Sequence, residues 1–185
     1  QVCSELGLYL YLDGARLGSA LAAGGATLEQ LGRLCDAFYI GGTKNGALFG
    51  EAVCILAPAL KPDFRYIVKQ RGGLLAKGWL LGLQFEQLFQ DGLYAELGRH
   101  ANALALRLAG GIAALGYPFA CESRSNQQFP ILPDSVLQKL EGQFHWEVSG
   151  KPDAGHTAIR LVTSWATEPE AVDAFLDALE KAGRS

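Results

Sequence analysis

Phe38-Tyr39-Ile40-Gly41-Gly42-Thr43-Lys44-Asn45-Gly46 sets a lysine directly after an apolar run and a pair of glycines. Before Lys44 an apolar strand runs out into paired glycines. After it come Asn45-Gly46, a turn-favouring pair, and a second apolar strand, Glu51-Ala52-Val53-Cys54-Ile55-Leu56. Lys44 therefore occupies a backbone bend between two strands that read as buried. A lysine there is costly unless its amine is exposed in a cleft, paired, or used covalently. Burial also lowers an ammonium's pKa, which frees the amine to attack a carbonyl. The plain alternative is a turn lysine with its head in water.

Upstream, Leu8-Tyr9-Leu10-Tyr11-Leu12 reads as a buried strand of a parallel sheet. It stops at Asp13-Gly14-Ala15-Arg16, polar residues at the carboxyl end of a strand, where open α/β sheets place ligands. Adjacent parallel strands would bring Asp13 and Arg16 to the site of Lys44. A fourth polar residue, Arg160, interrupts the apolar run Thr157 to Thr163. A lysine, a carboxylate and an arginine together suit pyridoxal phosphate. The lysine forms the Schiff base, the carboxylate keeps the pyridine nitrogen protonated, and an arginine fork clamps a substrate carboxylate. The rival is a structural ion pair, Asp13 with Arg16 across the turn and Lys44 elsewhere. Spacing alone leaves both open.

The totals narrow the function class. The 185 residues make one large domain or two small ones, and 49% apolar content is ample for a core. A net charge of -3 with scattered Lys and Arg argues against a nucleic-acid surface and a polybasic membrane patch. Apolar runs are strand length, short of a transmembrane span. Cys3, Cys35, Cys54 and Cys121 show no CxxC spacing and read as free, mostly buried thiols. That fits a reducing compartment, the cytoplasm. Isolated histidines argue against a metal site. Methionine is absent even at position 1, and Gln1 to Gly7 read as the end of a helix. The chain is therefore expected to be cut from a longer one.

Along the rest of the chain, Leu17 to Ala23 reads as a short helix. Thr27 with Gln30 forms a capping-box pattern before Leu28, Leu31 and Leu34 on one face. Phe64 to Phe89 is helical in period, but Gly72-Gly73 costs roughly 1 kcal/mol per glycine and predicts a break. A second helix spans Leu93 to Leu115, with Leu97, Leu104 and Leu108 toward the core. Strands are expected at 119–122, 128–132, 144–148 and 157–163, and helices at 134–141 and 168–181. The division falls near residue 64. Residues 1–64 read as the C-terminal part of a large α/β domain. Residues 65–185 read as a long connecting helix and a small α+β domain.

Tyr11-Leu12-Asp13-Gly14-Ala15-Arg16-Leu17 with Gly41-Gly42-Thr43-Lys44 resembles the low-specificity threonine aldolases, grouped with the β-eliminating lyases. The similarity continues through 47–52, Lys69-Gln70-Arg71-Gly72-Gly73, 126–130 and 156–165. It implies the fold type I, aspartate-aminotransferase-like architecture of pyridoxal phosphate enzymes. It also implies cleavage of L-threonine and related β-hydroxy-α-amino acids to glycine and an aldehyde. By that resemblance Lys44 is the Schiff-base lysine and Asp13 contacts the pyridine nitrogen. Arg16 lies beside the cofactor and, with Arg160, matches the arginines that hold the substrate carboxylate. Arg71 and Lys77 are phosphate candidates, with a solvated helix face as the alternative. Asn126 and Gln127 are candidates to line the site, though a strand-edge amide suits them better. His156 reads as a turn histidine, His100 and His145 as surface residues, and Trp146 and Trp165 as packing. The resemblance further implies a homo-oligomer, dimer or tetramer.

One departure is large: the family carries about as much sequence again before this chain starts. That half holds the phosphate-cradling loop and the histidine stacked on the ring. The isolated chain is accordingly expected to bind cofactor poorly and to lack turnover. The alternatives are another β-eliminating amino-acid lyase of the same fold, or a non-catalytic fragment that pairs with another chain.

Overall fold

The computed structural model describes residues 1–184. They form two compact units, Gln1–Gly98 and the residues from Arg99 onward. Phe85, Leu88, Tyr94 and Leu97 pack in one cluster with Phe38 and Ile40.

In the first unit, β1 (Tyr11–Leu12), β2 (Ala37–Gly41) and β3 (Glu51–Ile55) form one sheet in that order. β1 runs parallel to β2 and β2 antiparallel to β3. A short helix, α1 (Val2–Glu5), precedes β1, and the crossover from β1 to β2 is made by α2 (Leu17–Ala22) and α3 (Leu28–Leu34). Thr27 caps α3 as its sequence predicts: its hydroxyl accepts from the Gln30 amide while the Gln30 side chain accepts from the Thr27 amide. Leu31 is buried, but Leu34 is 66% exposed, because a step of six residues drifts off the apolar stripe. Leu17, Leu31, Phe38, Ile40 and Leu88 make the core.

The run Leu8–Leu12 differs from its expectation. Only Tyr11 and Leu12 are strand, and Leu8 to Tyr11 are exposed. Among the described residues β1 pairs with β2 alone, so its other edge has no strand beside it. β3 is likewise half open, with Val53 exposed.

Helices α4 (Phe64–Gln70) and α5 (Trp79–Phe89) replace a continuous helix, and Gly72-Gly73 fall in the gap, as their helix cost predicts. Helix α6 (Leu93–Ala114) gives its first residues, through Gly98, to this unit.

The second unit is a sheet covered by helices. β7 (His156–Val162) is central and antiparallel to β4 (Gln127–Gln128), β5 (Ile131–Pro133) and β6 (Glu147–Gly150). β4 and β5 lie in one line. Pro130, which has no N–H to donate, sits between them and still accepts at its carbonyl from Ile159. Residues 119–122, expected as a strand, contribute one bridge from Phe119 to Pro130. Ile159 and Leu161 face Leu104, Leu108 and Ile112 of α6, together with α7 (Asp134–Leu140) and α8 (Pro169–Arg184). Val172, Phe175 and Leu179 supply the apolar stripe of α8.

All four cysteines are free, but only Cys35 is buried; Cys121 is exposed and Cys3 and Cys54 are intermediate. No helix among the described residues is long and apolar enough to cross a membrane.

Candidate active site

The register of β1 against β2 builds the site. Tyr11 pairs with Ala37 and Leu12 with Phe38, so the next pair is Asp13 beside Tyr39. Alternation puts both on the face opposite buried Phe38 and Ile40. The Tyr39 hydroxyl donates to Asp13 Oδ1, and the Ala15 amide donates to the same oxygen at 3.1 Å. Asp13 Oδ2 accepts from no described residue.

Two backbone turns then meet. The Gly41 amide donates to the Gly14 carbonyl at 2.9 Å. A Cβ on Gly41 would stand 2.4 Å from the Ala15 oxygen, and one on Gly14 would stand 1.7 Å from the Tyr39 oxygen. Glycine is required at both for the strands to approach so closely. The buried side chain of Asn45 bridges the turns, donating to the carbonyls of Gly41 at 2.9 Å and Ala15 at 3.4 Å. From the other side Glu51 accepts from the Gly42 amide at 2.9 Å and from the Thr43 hydroxyl. The buried Tyr94 hydroxyl donates to the Gly41 carbonyl at 3.0 Å. Lys44 is thus exposed on a bend pinned from both sides, not buried between strands.

The electrostatics follow the contacts. The Tyr39 hydroxyl and then the Ala15 amide hold the Asp13 carboxyl below the usual carboxylate range, and the Lys44 ammonium adds to this. The same bond, with the Asp13 charge, pushes the Tyr39 phenol up to about 12. Burial pushes Tyr94 up as well. Asp13 is therefore an anion at neutral pH, within reach of the charge of Lys44.

Arg16 caps the start of α2, and its guanidinium makes no ion pair among the described residues. The local Asp13–Arg16 pair is not formed; Asp13 bonds Tyr39 and Ala15 instead. Both line a cavity of about 340 Å³ with Leu12, Leu17, Leu21 and Leu31. Arg71 and Lys77 are exposed in and beside the gap between α4 and α5.

Arg160 belongs to the second unit. It lies on the sheet face away from the helices, which is how an arginine fits between buried Ile159 and Leu161. Its guanidinium pairs with Glu147 and bonds Gln127 Oε1 at 3.3 Å, while its buried Nε has no partner among the described residues. Asn126 donates to the Thr163 carbonyl at 2.7 Å, as a strand-edge amide does. His156 pairs with Asp153 in a turn and His145 is exposed. His100 is half-buried, with its ring nitrogen 2.9 Å from the Thr167 carbonyl oxygen, rather than on the surface. Trp165 is 42% exposed, while Trp146 packs on the core.

Tyr39, Asn45, Glu51 and Tyr94 hold these turns together, and the sequence does not single them out as candidates. For Tyr39 and Asn45 a signal existed: a tyrosine two positions before the glycine pair, and an amide beside the lysine. Glu51 and Tyr94 act through turns that pattern alone does not pair.

Comparisons with known proteins give the family and the fold. The family model described as Beta-eliminating lyase matches residues 1–168. The chain is 33% identical over 169 residues to a low specificity L-threonine aldolase of Pseudomonas sp. (strain NCIMB 10558), covering 90% of this chain and 48% of that protein. Against the Pseudomonas aeruginosa low specificity L-threonine aldolase the values are 32% over 173 residues, 92% and 49%. A solved Leishmania major threonine aldolase superposes with a TM-score of 0.92 at 49% identity, covering 97% of this chain and 53% of that one. Sphingomonas wittichii serine palmitoyltransferase shares the fold, with a TM-score of 0.69 at 18% identity, covering 99% of this chain and 49% of that one. The α/β class is thus that of the fold type I enzymes. The chain spans about half the length of the relatives it matches. With its family model matched over residues 1–168, the chain belongs to the β-eliminating lyase family.

Proposed function

We propose that this chain carries the lysine-bearing part of a pyridoxal phosphate-dependent carbon–carbon lyase. Its substrates are L-threonine and related β-hydroxy-α-amino acids, and its products are glycine and an aldehyde. One observation carries the reading: Asn45 bridges the Gly41 and Ala15 carbonyls, so Lys44 and Asp13 open at the same end of one sheet. The residues fit the cofactor. The amine of Lys44 is exposed, and Asp13 keeps one carboxylate oxygen without a donor among the described residues. When bound, pyridoxal phosphate supplies the electron sink for carbon–carbon cleavage.

Lys44 would hold the cofactor covalently, and Asp13 would keep the ring nitrogen protonated. Arg16 is assigned to the cofactor, and Arg16 and Arg160 are the residues that would hold the substrate carboxylate. Arg71 and Lys77 are assigned to phosphate contacts. Residues 1–64 are read as the end of a large cofactor-binding domain, and 65–185 as connecting helix and small α+β domain. Exposed Ile67, Leu75, Trp79 and Leu83 support a homo-oligomer, and four free cysteines support a cytoplasmic setting. The net charge of -3 argues against a nucleic-acid partner. Because the chain spans about half of its relatives, we assign it weak cofactor binding and no turnover in isolation.

Borohydride reduction after incubation with pyridoxal phosphate tests the reading even when binding is weak. The pyridoxyl label should map to Lys44 and vanish in Lys44→Ala. A label spread over Lys61, Lys69, Lys77 and Lys151 by exposure alone overturns the assignment. Threonine cleavage by the 185-residue chain alone would overturn the assignment of no turnover.

A further inference from the structure

We propose that Tyr39 is a positioning residue: its hydroxyl, with the Ala15 amide, fixes Asp13 Oδ1 so that Oδ2 is presented to the cofactor's ring nitrogen. The inference rests on the reading of Asp13 given above.

The geometry separates the two carboxylate oxygens. Oδ1 accepts from Tyr39 on the neighbouring strand and from Ala15 in the turn that follows Asp13. Oδ2 accepts from no described residue. Two donors on one oxygen, from different segments, remove the freedom of the carboxylate to rotate. A carboxylate held at one oxygen meets a partner with the other at little further entropic cost. Tyr39 is itself held. Its ring centroid stands 6.3 Å from that of Tyr11, and its backbone lies within the β2–β3 ladder opposite Val53. A phenylalanine at this position would keep the ring and lose the bond. The contact also tells on both titrations: Asp13 is held down first of all by Tyr39, and Tyr39 is pushed up first of all by Asp13. The charged and titratable groups acting on the pair are Lys44 on Asp13, and Glu51 and Tyr11 on Tyr39.

The test uses the full 185-residue chain with ring-¹⁵N pyridoxal phosphate reduced onto Lys44, so that affinity does not enter. Nitrogen chemical shift against pH gives the protonation midpoint of the ring nitrogen. Asp13→Asn should lower that midpoint, and Tyr39→Phe should lower it by a smaller amount, because a carboxylate free to rotate meets the ring nitrogen less well. If Asp13→Asn lowers it while Tyr39→Phe leaves it unchanged or raises it, the role of Tyr39 is overturned and the site reading stands. If Asp13→Asn leaves it unchanged, the site reading falls and this inference with it. A second measurement needs no cofactor. The ¹³Cγ titration of Asp13 should lie below the ordinary carboxylate range in the unaltered chain and rise in Tyr39→Phe. Equal midpoints in the two chains overturn the inference, whatever the folding yield of the variant.

Discussion

Asn45 donates its side-chain amide to the Gly41 carbonyl at 2.9 Å from only four residues along, closing the bend that carries Lys44. Its second bond, to Ala15, ties that bend to the turn after Asp13. Asn45 is 5% exposed, so the carbonyls it serves have little water to turn to. Tyr94 still bonds the Gly41 oxygen, whereas nothing else described donates to Ala15 from a side chain. Asn45→Ala should therefore cost about 1–3 kcal/mol in urea unfolding, the desolvation cost of an unpaired buried group. Asn45→Asp should cost more at neutral pH, since a carboxylate donates nothing and would face two carbonyl oxygens. Its deficit should narrow as acid protonates it. A deficit of Asn45→Asp equal to that of Asn45→Ala at every pH would show that the amide does not donate here.

A second prediction concerns one helix with two glycines in opposite settings. In α6, a Cβ on Gly98 would stand 2.4 Å from the Gly18 carbonyl oxygen and 2.6 Å from its carbon, both backbone atoms. A Cβ on exposed Gly110 would meet nothing within 4 Å. Alanine gains about 1 kcal/mol over glycine in a helix interior. Gly110→Ala should therefore stabilise by about 0.5–1 kcal/mol. Gly98→Ala should destabilise, because α2 and α6 must separate where only backbone fits. Thermal melts of both variants check this; equal shifts would mean that α2 does not sit on Gly98.

These pairings mark what the sequence could and could not reveal. The placement of Asp13 and Arg16 at the end of β1, and of Lys44 in the bend after β2, was legible because each follows the point where an apolar run stops. The glycine break between α4 and α5 and the Thr27 cap were legible because they depend on neighbours within a few residues. Burial of Leu8–Leu12 was misread, since composition says a strand is apolar but not how many strands flank it. The contact of Tyr39 with Asp13 was invisible for a related reason. It needs the register of β1 on β2, and a shift of one residue would turn Tyr39 to the other face. Pro130 shows the same limit inside β4–β5: its ladder gap follows from chemistry, but its partner strand does not.

The core of the second unit gives a third prediction. Ile159 is fully buried, in the central strand and against α6, α7 and α8. Ile159→Ala should cost about 2–5 kcal/mol through lost burial and the cavity left behind. Val162 lies three residues along the same strand but is 45% exposed. Val162→Ala should change stability by about 0.5 kcal/mol or less. Denaturation followed by the fluorescence of Trp146, which packs on this core, separates the two.

The last prediction concerns acid stability. Asp134 opens α7, where its Oδ1 accepts from the Thr157 hydroxyl at 2.6 Å and its Oδ2 from the Lys151 ammonium at 3.0 Å. The Thr157 bond first, and then Lys151, hold its carboxyl below the usual range. Its folded pKa is thus lower than its unfolded one, near 3.9. A depressed carboxyl stabilises the fold fully above the unfolded value, and the contribution is lost as pH falls through the folded one. Asp134→Ala should therefore unfold at lower urea than the unaltered chain at neutral pH. It also leaves the buried Thr157 hydroxyl without its acceptor, a deficit that acid does not remove. The difference in urea midpoint should shrink between about pH 4 and pH 2 without vanishing. A difference constant across that window would mean that the charge of Asp134 contributes nothing and the hydroxyl bond alone matters.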